Sequence, residues 1–134
     1  MINIETRVAI NSAVDIVTAR QQGRNLAMDL GFTGSDLTVI ASAISEVARN
    51  IVDHASQCEV ILGKATQGDK RGIMIVAVDA GPGIPDIARA MQYGYSTRNG
   101  LGVGLPGAKL LMDEFDIATK VGEGTKVTMK KWLF

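Results

Sequence analysis

From residue 2 to residue 10, apolar and polar residues alternate. Ile2, Ile4, Val8 and Ile10 fall on one parity, and Asn3, Glu5 and Arg7 on the other. A period of two marks a strand with one buried face. The period then lengthens. Ser12 stands where a helix N-cap would stand, with Asp15 three residues later in capping-box position. Ile16, Val17, Arg20, Gly23, Leu26, Ala27 and Leu30 follow at helical spacing, and Gly31 closes the segment. A second helix is predicted from Ser35 to about His54. Its amphipathic stripe is Leu37, Ile40, Ala41, Ile44, Val47, Ala48, Ile51 and Val52.

Two strands are predicted next, Gln57 to Lys64 and Gly72 to Asp79, around a polar hairpin loop from Thr66 to Arg71. The second strand is apolar on both parities from Ile73 to Val78, as expected of a central strand. The segment Asp79-Ala-Gly-Pro-Gly-Ile-Pro85 cannot continue it. A short helix from Asp86 to Gln92 and an aperiodic, glycine-rich stretch from Tyr93 to Gly104 follow. A third main helix is predicted from Leu105 to Glu114, with Pro106 tolerated in its first turn. Strands from Asp116 to Val121 and from Thr125 to Trp132 are joined by Gly122-Glu-Gly124. Locally paired strands with helices gathered between them predict an α+β two-layer sandwich. The sheet is expected to be mixed, with helices on one face. The length of 134 residues suits a single domain spanning 1–134.

Composition narrows the function classes. Fourteen basic residues balance 14 acidic ones, which removes the bulk charge that nucleic acid or an anionic membrane attracts. One cysteine, Cys58, excludes an internal disulfide, and with one histidine, His54, the usual zinc ligand sets are out of reach. The longest apolar run, Ile73 to Val78, is far short of the roughly 18 to 20 residues that span a bilayer. Met1 to Glu5 has neither a basic nor a long apolar region, so no signal peptide is expected and the expected location is cytoplasmic.

Four short segments hold most of the unusual residue choices. In Glu46-Val-Ala-Arg-Asn50 the carboxylate and the amide lie four apart, on one helix face that points away from the Ile44/Ala48/Ile51 stripe. Such a pair can activate a hydroxyl and ligate Mg²⁺ through oxygen. The plainer reading is a solvated helix face. Asp79-Ala-Gly-Pro-Gly83 follows the most apolar strand. Its carboxylate can accept from the exocyclic amine of a base, and Gly81 and Gly83 allow close backbone approach; a simple turn is the alternative. Gly100-Leu-Gly-Val-Gly-Leu-Pro-Gly107 enters the third helix with alternating glycines suited to phosphate oxygens. Gly102 to Gly107 formally matches G-x-G-x-x-G. The residues before it, Tyr95-Ser-Thr-Arg-Asn99, are polar and turn-like, where a dinucleotide fingerprint needs a strand. Ala108 after Gly107 also excludes a Walker motif. The fourth segment, Gly122-Glu-Gly-Thr125, reads alone as a hairpin turn.

Together and in this order, the four segments resemble the Bergerat-fold (GHKL) ATPases: gyrase, Hsp90, MutL and histidine kinases. The resemblance covers nearly the whole chain. It implies that Glu46 and Asn50 form the N box, with Glu46 the general base and Asn50 the Mg²⁺ ligand. Asp79, Gly81 and Gly83 look like the G1 box, with Asp79 on the adenine amine. Gly100, Gly102 and Gly104 look like the G2 box, closing on the phosphates of ATP. Gly124 and Thr125 belong to a G3-like box, with Thr125 supporting adenine recognition. Glu46…Asn50…His54-Ala55 is typical of the small bacterial anti-sigma-factor-like serine kinases. Asp79-x-Gly-Pro-Gly-Ile-Pro-Asp86, the short Tyr95-Ser-Thr segment and Leu-Met-Asp-Glu-Phe115 look like stressosome switch kinases of the RsbT type. The resemblance implies an ATP- and Mg²⁺-dependent serine/threonine kinase acting on STAS-domain scaffold or antagonist proteins and then activating a PP2C-type phosphatase. A nucleotide-gated module that acts by docking alone is the alternative. Arg49 could meet a phosphate or a partner and is left outside the catalytic set.

Overall fold

Strand β1 (Glu5–Ile10) leads into helices α1 (Ala13–Leu30) and α2 (Ser35–His54). The hairpin strands β2 (Cys58–Gln67) and β3 (Lys70–Asp79) come next. Helix α3 (Gly104–Leu111) and strands β4 (Glu114–Lys120) and β5 (Gly124–Trp132) are the remaining elements among the described residues. The structure is a computed structural model that describes residues 5–54, 58–79, 104–120 and 124–133. The helix expected from Asp86 to Gln92 lies outside those residues.

The five strands form one sheet in the order β1-β2-β3-β5-β4. All four described pairings are antiparallel, where a mixed sheet was expected. The connections explain the difference. Two helices separate β1 from β2, so the chain reverses three times and β2 returns antiparallel to β1. The connection from β3 to β4 does leave those two strands parallel, but β5 inserts between them and runs against both.

One face of the sheet carries the core. Val8 and Ile10, Val60 and Leu62, Ile73, Ile75 and Ala77, and Val127 and Met129 share one parity across the register and are buried. Helices α1 and α2 pack on this face, and α3 packs against α2. Together these make the two-layer α+β sandwich. The opposite parity carries Arg7, whose guanidinium meets the Glu59 carboxylate at 2.8 Å. Among the described residues no helix is long and apolar enough to cross a membrane.

Local chemistry sets the element ends. Gly31, at φ 111°, ends α1. Its N–H donates to Met28 O at 3.1 Å and that of Phe32 to Ala27 O at 3.0 Å, the paired bonds of a Schellman stop, with Phe32 driven into the core. At the other end the expected capping box is not formed. Ser12 makes no side-chain cap bond. The Asp15 carboxylate instead accepts from the Asn11 N–H at 2.8 Å, one residue further back. The β2–β3 hairpin is tighter than expected. Its strands run on to Gln67 and Lys70, leaving only Gly68 and Asp69 in the turn, with Gly68 at φ 59°. A positive φ at the first turn position alone is the type II′ arrangement that matches strand twist. Helix α3 is shorter than expected and β4 begins earlier, because Glu114 and Phe115 pair with Lys130 and Met129 of β5. The Asp113 carboxylate accepts from Trp132 N at 2.7 Å, and the Trp132 Nε1–H donates to Glu114 Oε2 at 2.6 Å. Trp132 is thereby a buried lock between the last strand and the α3–β4 corner.

Candidate functional site

Helix α2 is covered on three sides, by α1, by α3 and by the sheet. Its buried residues are therefore not confined to one stripe. Ala41, Ala43, Ile44, Ser45, Val47, Ala48 and Asn50 are all buried. The small ones let neighbouring elements come close, and Ser45 satisfies its hydroxyl by donating to Ala41 O at 3.1 Å.

This placement changes the reading of the Glu46/Asn50 face. A solvated face would expose both side chains. Asn50 is 2% exposed, and the Glu46 side chain 18%. Helix α2 lies between α1 and α3 as well as on the sheet, so burial along it extends beyond the apolar stripe. Asn50 Oδ1 and Nδ2 are both buried without a hydrogen-bond partner among the described residues. A buried amide in that state carries a desolvation cost that native structures avoid unless something else satisfies it. The Glu46 carboxylate meets Arg49, with NH1 3.4 Å from Oε1. The i,i+3 spacing behind this pair is visible in the sequence, where Arg49 was given no structural partner.

The strand ends supply the second part. Asp79 is the last residue of β3, and its register partners are Cys58 at the start of β2 and Thr125 at the start of β5. Period-two alternation puts Asp79 and Thr125 on the same face as Ala77 and Val127, the face that bears the helices. Thr125 is buried and Asp79 half-buried. Gly124, at φ 115°, precedes Thr125 in a backbone conformation that favours glycine. His54 ends α2 only four positions before Cys58. The chain therefore keeps the Asn50 end of α2 close to the Asp79 end of the sheet, within about 15 Å from His54 to Cys58.

Gly104 opens α3, with Ala108 fully buried beneath it. Gly81, Gly83, Gly100 and Gly102 lie outside the described residues. The structure thus sets the α2 pair and the strand-end pair on the same, helix-bearing side of the sheet. Trp132, which pattern alone could not assign, is a structural lock.

A fit to Mg²⁺ can be judged on Asn50. Its amide oxygen is a hard neutral ligand, buried and without a partner among the described residues, and Mg²⁺ in nucleotide sites takes one or two protein oxygens beside phosphates and water. Asn50 fits that demand. Asp79, an acceptor at a strand end next to a buried threonine, fits recognition of an amine-bearing base.

Residues 11–131 match the histidine kinase-like ATPase domain family. The chain belongs to this family. It is 48% identical over 131 residues to the serine/threonine-protein kinase RsbT of Bacillus subtilis, covering 98% of both chains. It is also similar to anti-sigma F factors. That of Caldanaerobacter subterraneus is 32% identical over 112 residues, 80% of this chain and 78% of the other. That of a Thermoanaerobacter species is 34% identical over 113 residues, again 80% and 78%. Among solved structures, the crystal structure of the RsbU and RsbW domains of Rv1364c from Mycobacterium tuberculosis superposes with a TM-score of 0.60 at 21% identity. It covers 98% of this chain and 32% of that one, and supports the fold alone.

Proposed function

We propose that this protein serine/threonine kinase works in a bacterial stress-signalling partner switch. In this reading residues 1–134 form one cytoplasmic ATP-binding domain. It transfers the γ-phosphoryl group of ATP to a serine or threonine of a STAS-domain scaffold or antagonist protein. It then activates a PP2C-type phosphatase, with neither nucleic acid nor membrane as a partner. The observation that carries the proposal is the Asn50 amide, buried with no hydrogen-bond partner among the described residues, one turn from the half-buried Glu46 carboxylate. Similarity to RsbT across the full length supports the kinase class.

Each residue has a chemical task. Asp79 accepts from the adenine amine, with Thr125 and the Gly124 backbone beside it. The backbone amides around Gly81, Gly83, Gly100, Gly102 and Gly104 surround the phosphates. Asn50 would hold Mg²⁺, which supplies charge to offset that of the phosphates. Glu46 orients the acceptor hydroxyl and receives its proton. Phosphoryl transfer needs little covalent help, so positioning and electrostatics carry most of the catalysis.

The test mixes the chain with labelled ATP and Mg²⁺, with and without a STAS-domain protein of the same genome, and analyses both by mass spectrometry. The expected product is acid-stable phosphoserine or phosphothreonine on the STAS protein. Acid-labile phosphohistidine, or label on this chain alone, would overturn the reading. Nucleotide-dependent docking without transfer would favour the docking module.

A further inference from the structure

We propose that Arg49 is the positioning residue of the kinase site. It holds Oε1 of Glu46 and leaves Oε2 as the oxygen that receives the proton of the acceptor hydroxyl. This rests on the reading of Glu46 as the proton acceptor.

Three observations lead here. First, the backbone of α2 is fixed by its neighbours, so the Cα of Glu46 is well placed. Its side chain still has three rotatable torsions, and among the described residues Arg49 is its one polar partner, at 3.4 Å. Second, the contact uses NH1 and Oε1 alone. A bidentate clasp would engage both carboxylate oxygens, whereas this single contact leaves both lone pairs of Oε2 to the acceptor hydroxyl. Third, the Arg49 side chain is 34% exposed and that of Glu46 18%. An i,i+3 pair this exposed adds little to stability, so fold maintenance is a poor account of it. Arg49 also directly precedes Asn50, which puts its guanidinium on the helix turn that carries both proposed site residues.

The acceptor O–H gives its proton to Glu46 Oε2. The acceptor oxygen bonds to the γ-phosphorus, and the bond from that phosphorus to the β–γ bridging oxygen breaks, leaving ADP. Arg49 touches none of the reacting atoms. It limits where the carboxylate can be when they meet. A carboxylate misplaced by about 1 Å can lower such a rate about a hundredfold.

The test compares wild type, Glu46→Gln, Arg49→Ala, Arg49→Lys and the Glu46→Gln/Arg49→Ala double variant. Calorimetry gives the Mg·ATP affinity of each. Single-turnover rates are taken with two acceptors: a STAS-domain protein of the same genome, and water, read as phosphate release by the chain alone. Arg49→Ala is expected to slow turnover roughly 3- to 5-fold, the most by which so exposed a pair can shift the position of the carboxylate, while Mg·ATP affinity stays within about twofold. Unchanged affinity also shows that the variant is folded. Arg49→Lys should recover most of the rate. Adding Arg49→Ala to Glu46→Gln should slow it no further, because the positioned group is already gone. A merely structural arginine would give neither the rescue nor this epistasis.

The proposal is overturned by a wild-type rate in Arg49→Ala, by additive losses in the double variant, or by weakened Mg·ATP binding, which would make Arg49 a phosphate ligand. A wild-type rate in Glu46→Gln removes the base and this inference with it, as does a wild-type chain that turns over with neither acceptor. Turnover with water but no label on the STAS protein would remove the proposed partner, while Arg49 is still decided on hydrolysis.

Discussion

At the scale of single residues, Asn50 is where stability and chemistry oppose each other. A buried amide with no partner costs about 1–3 kcal/mol in desolvation, and Asn50 is 2% exposed with neither amide atom bonded among the described residues. Asn50→Ala loses some packing but also removes that cost. The nucleotide-free variant is therefore expected to melt close to wild type, while the Mg²⁺-dependent part of ATP binding disappears. Calorimetry with and without Mg²⁺ checks this, and an unchanged Mg²⁺ dependence would take Asn50 out of the site. Asp79→Asn tests the other half. The new amide presents a donor where the adenine amine also donates. Loss of a charge-assisted hydrogen bond should weaken ATP binding by about 1.5–3 kcal/mol, or roughly 10- to 100-fold. A folded variant with wild-type affinity would remove Asp79. The Glu46–Asn50 spacing could be read from the sequence, but the burial of Asn50 could not. Periodicity marks the stripe facing the sheet and is silent about what covers the rest of the helix.

At the scale of elements, the period of two or 3.6 revealed each described helix and strand, whereas several ends were set by contacts from elsewhere. Helix α3 stops at Leu111 because β5 captures Glu114 and Phe115. Gly31, which acts through its own φ, was readable as a stop; Ser12, whose capping depends on where Asp15 turns, was not. Two buried glycines separate local from tertiary demands. A Cβ on Gly23 would run into Ile44 Cδ1, the movable end of a side chain. Alanine there gains up to about 1 kcal/mol of helix propensity, set against an overpacking cost of about 1–3 kcal/mol. Gly23→Ala should be between neutral and destabilising by about 2 kcal/mol. A Cβ on Gly72 would run into the Lys131 carbonyl oxygen, part of the β5 backbone, and β5 can yield only by disturbing its pairing with β3. Gly72→Ala should destabilise clearly more than Gly23→Ala, by several kcal/mol where backbone must move. Urea unfolding of the two variants compares them directly; equal midpoints would mean that β5 shifts freely and that the β3–β5 register is less fixed than described.

At the scale of the whole molecule, strand order was the feature least accessible from pattern. Alternation tells which face of a strand is buried but not which strand lies beside it. The placement of β5 between β3 and β4 is what brings Thr125 opposite Asp79, although 46 positions separate them in the chain. The proposed nucleotide site therefore draws on α2, the start of α3, β3 and β5, and a ligand held by all of them should oppose unfolding of the whole structure. Binding to the folded state alone adds about 2.7 kcal/mol at a ligand concentration a hundred times Kd. For a chain of this length that corresponds to a rise in Tm of roughly 8–14 °C. Mg·ATP should produce that rise in the wild type. Asp79→Asn should lose most of it at the same concentration, and Asn50→Ala should keep only the part that ATP gives without Mg²⁺. Scanning calorimetry also shows whether the gain is cooperative. One transition moving as a unit is expected, because the strands that carry Asp79 and Thr125 are also the centre of the core sheet. A transition that splits, with one part insensitive to Mg·ATP, would mean that the α2 pair and the strand-end pair do not hold the same ligand.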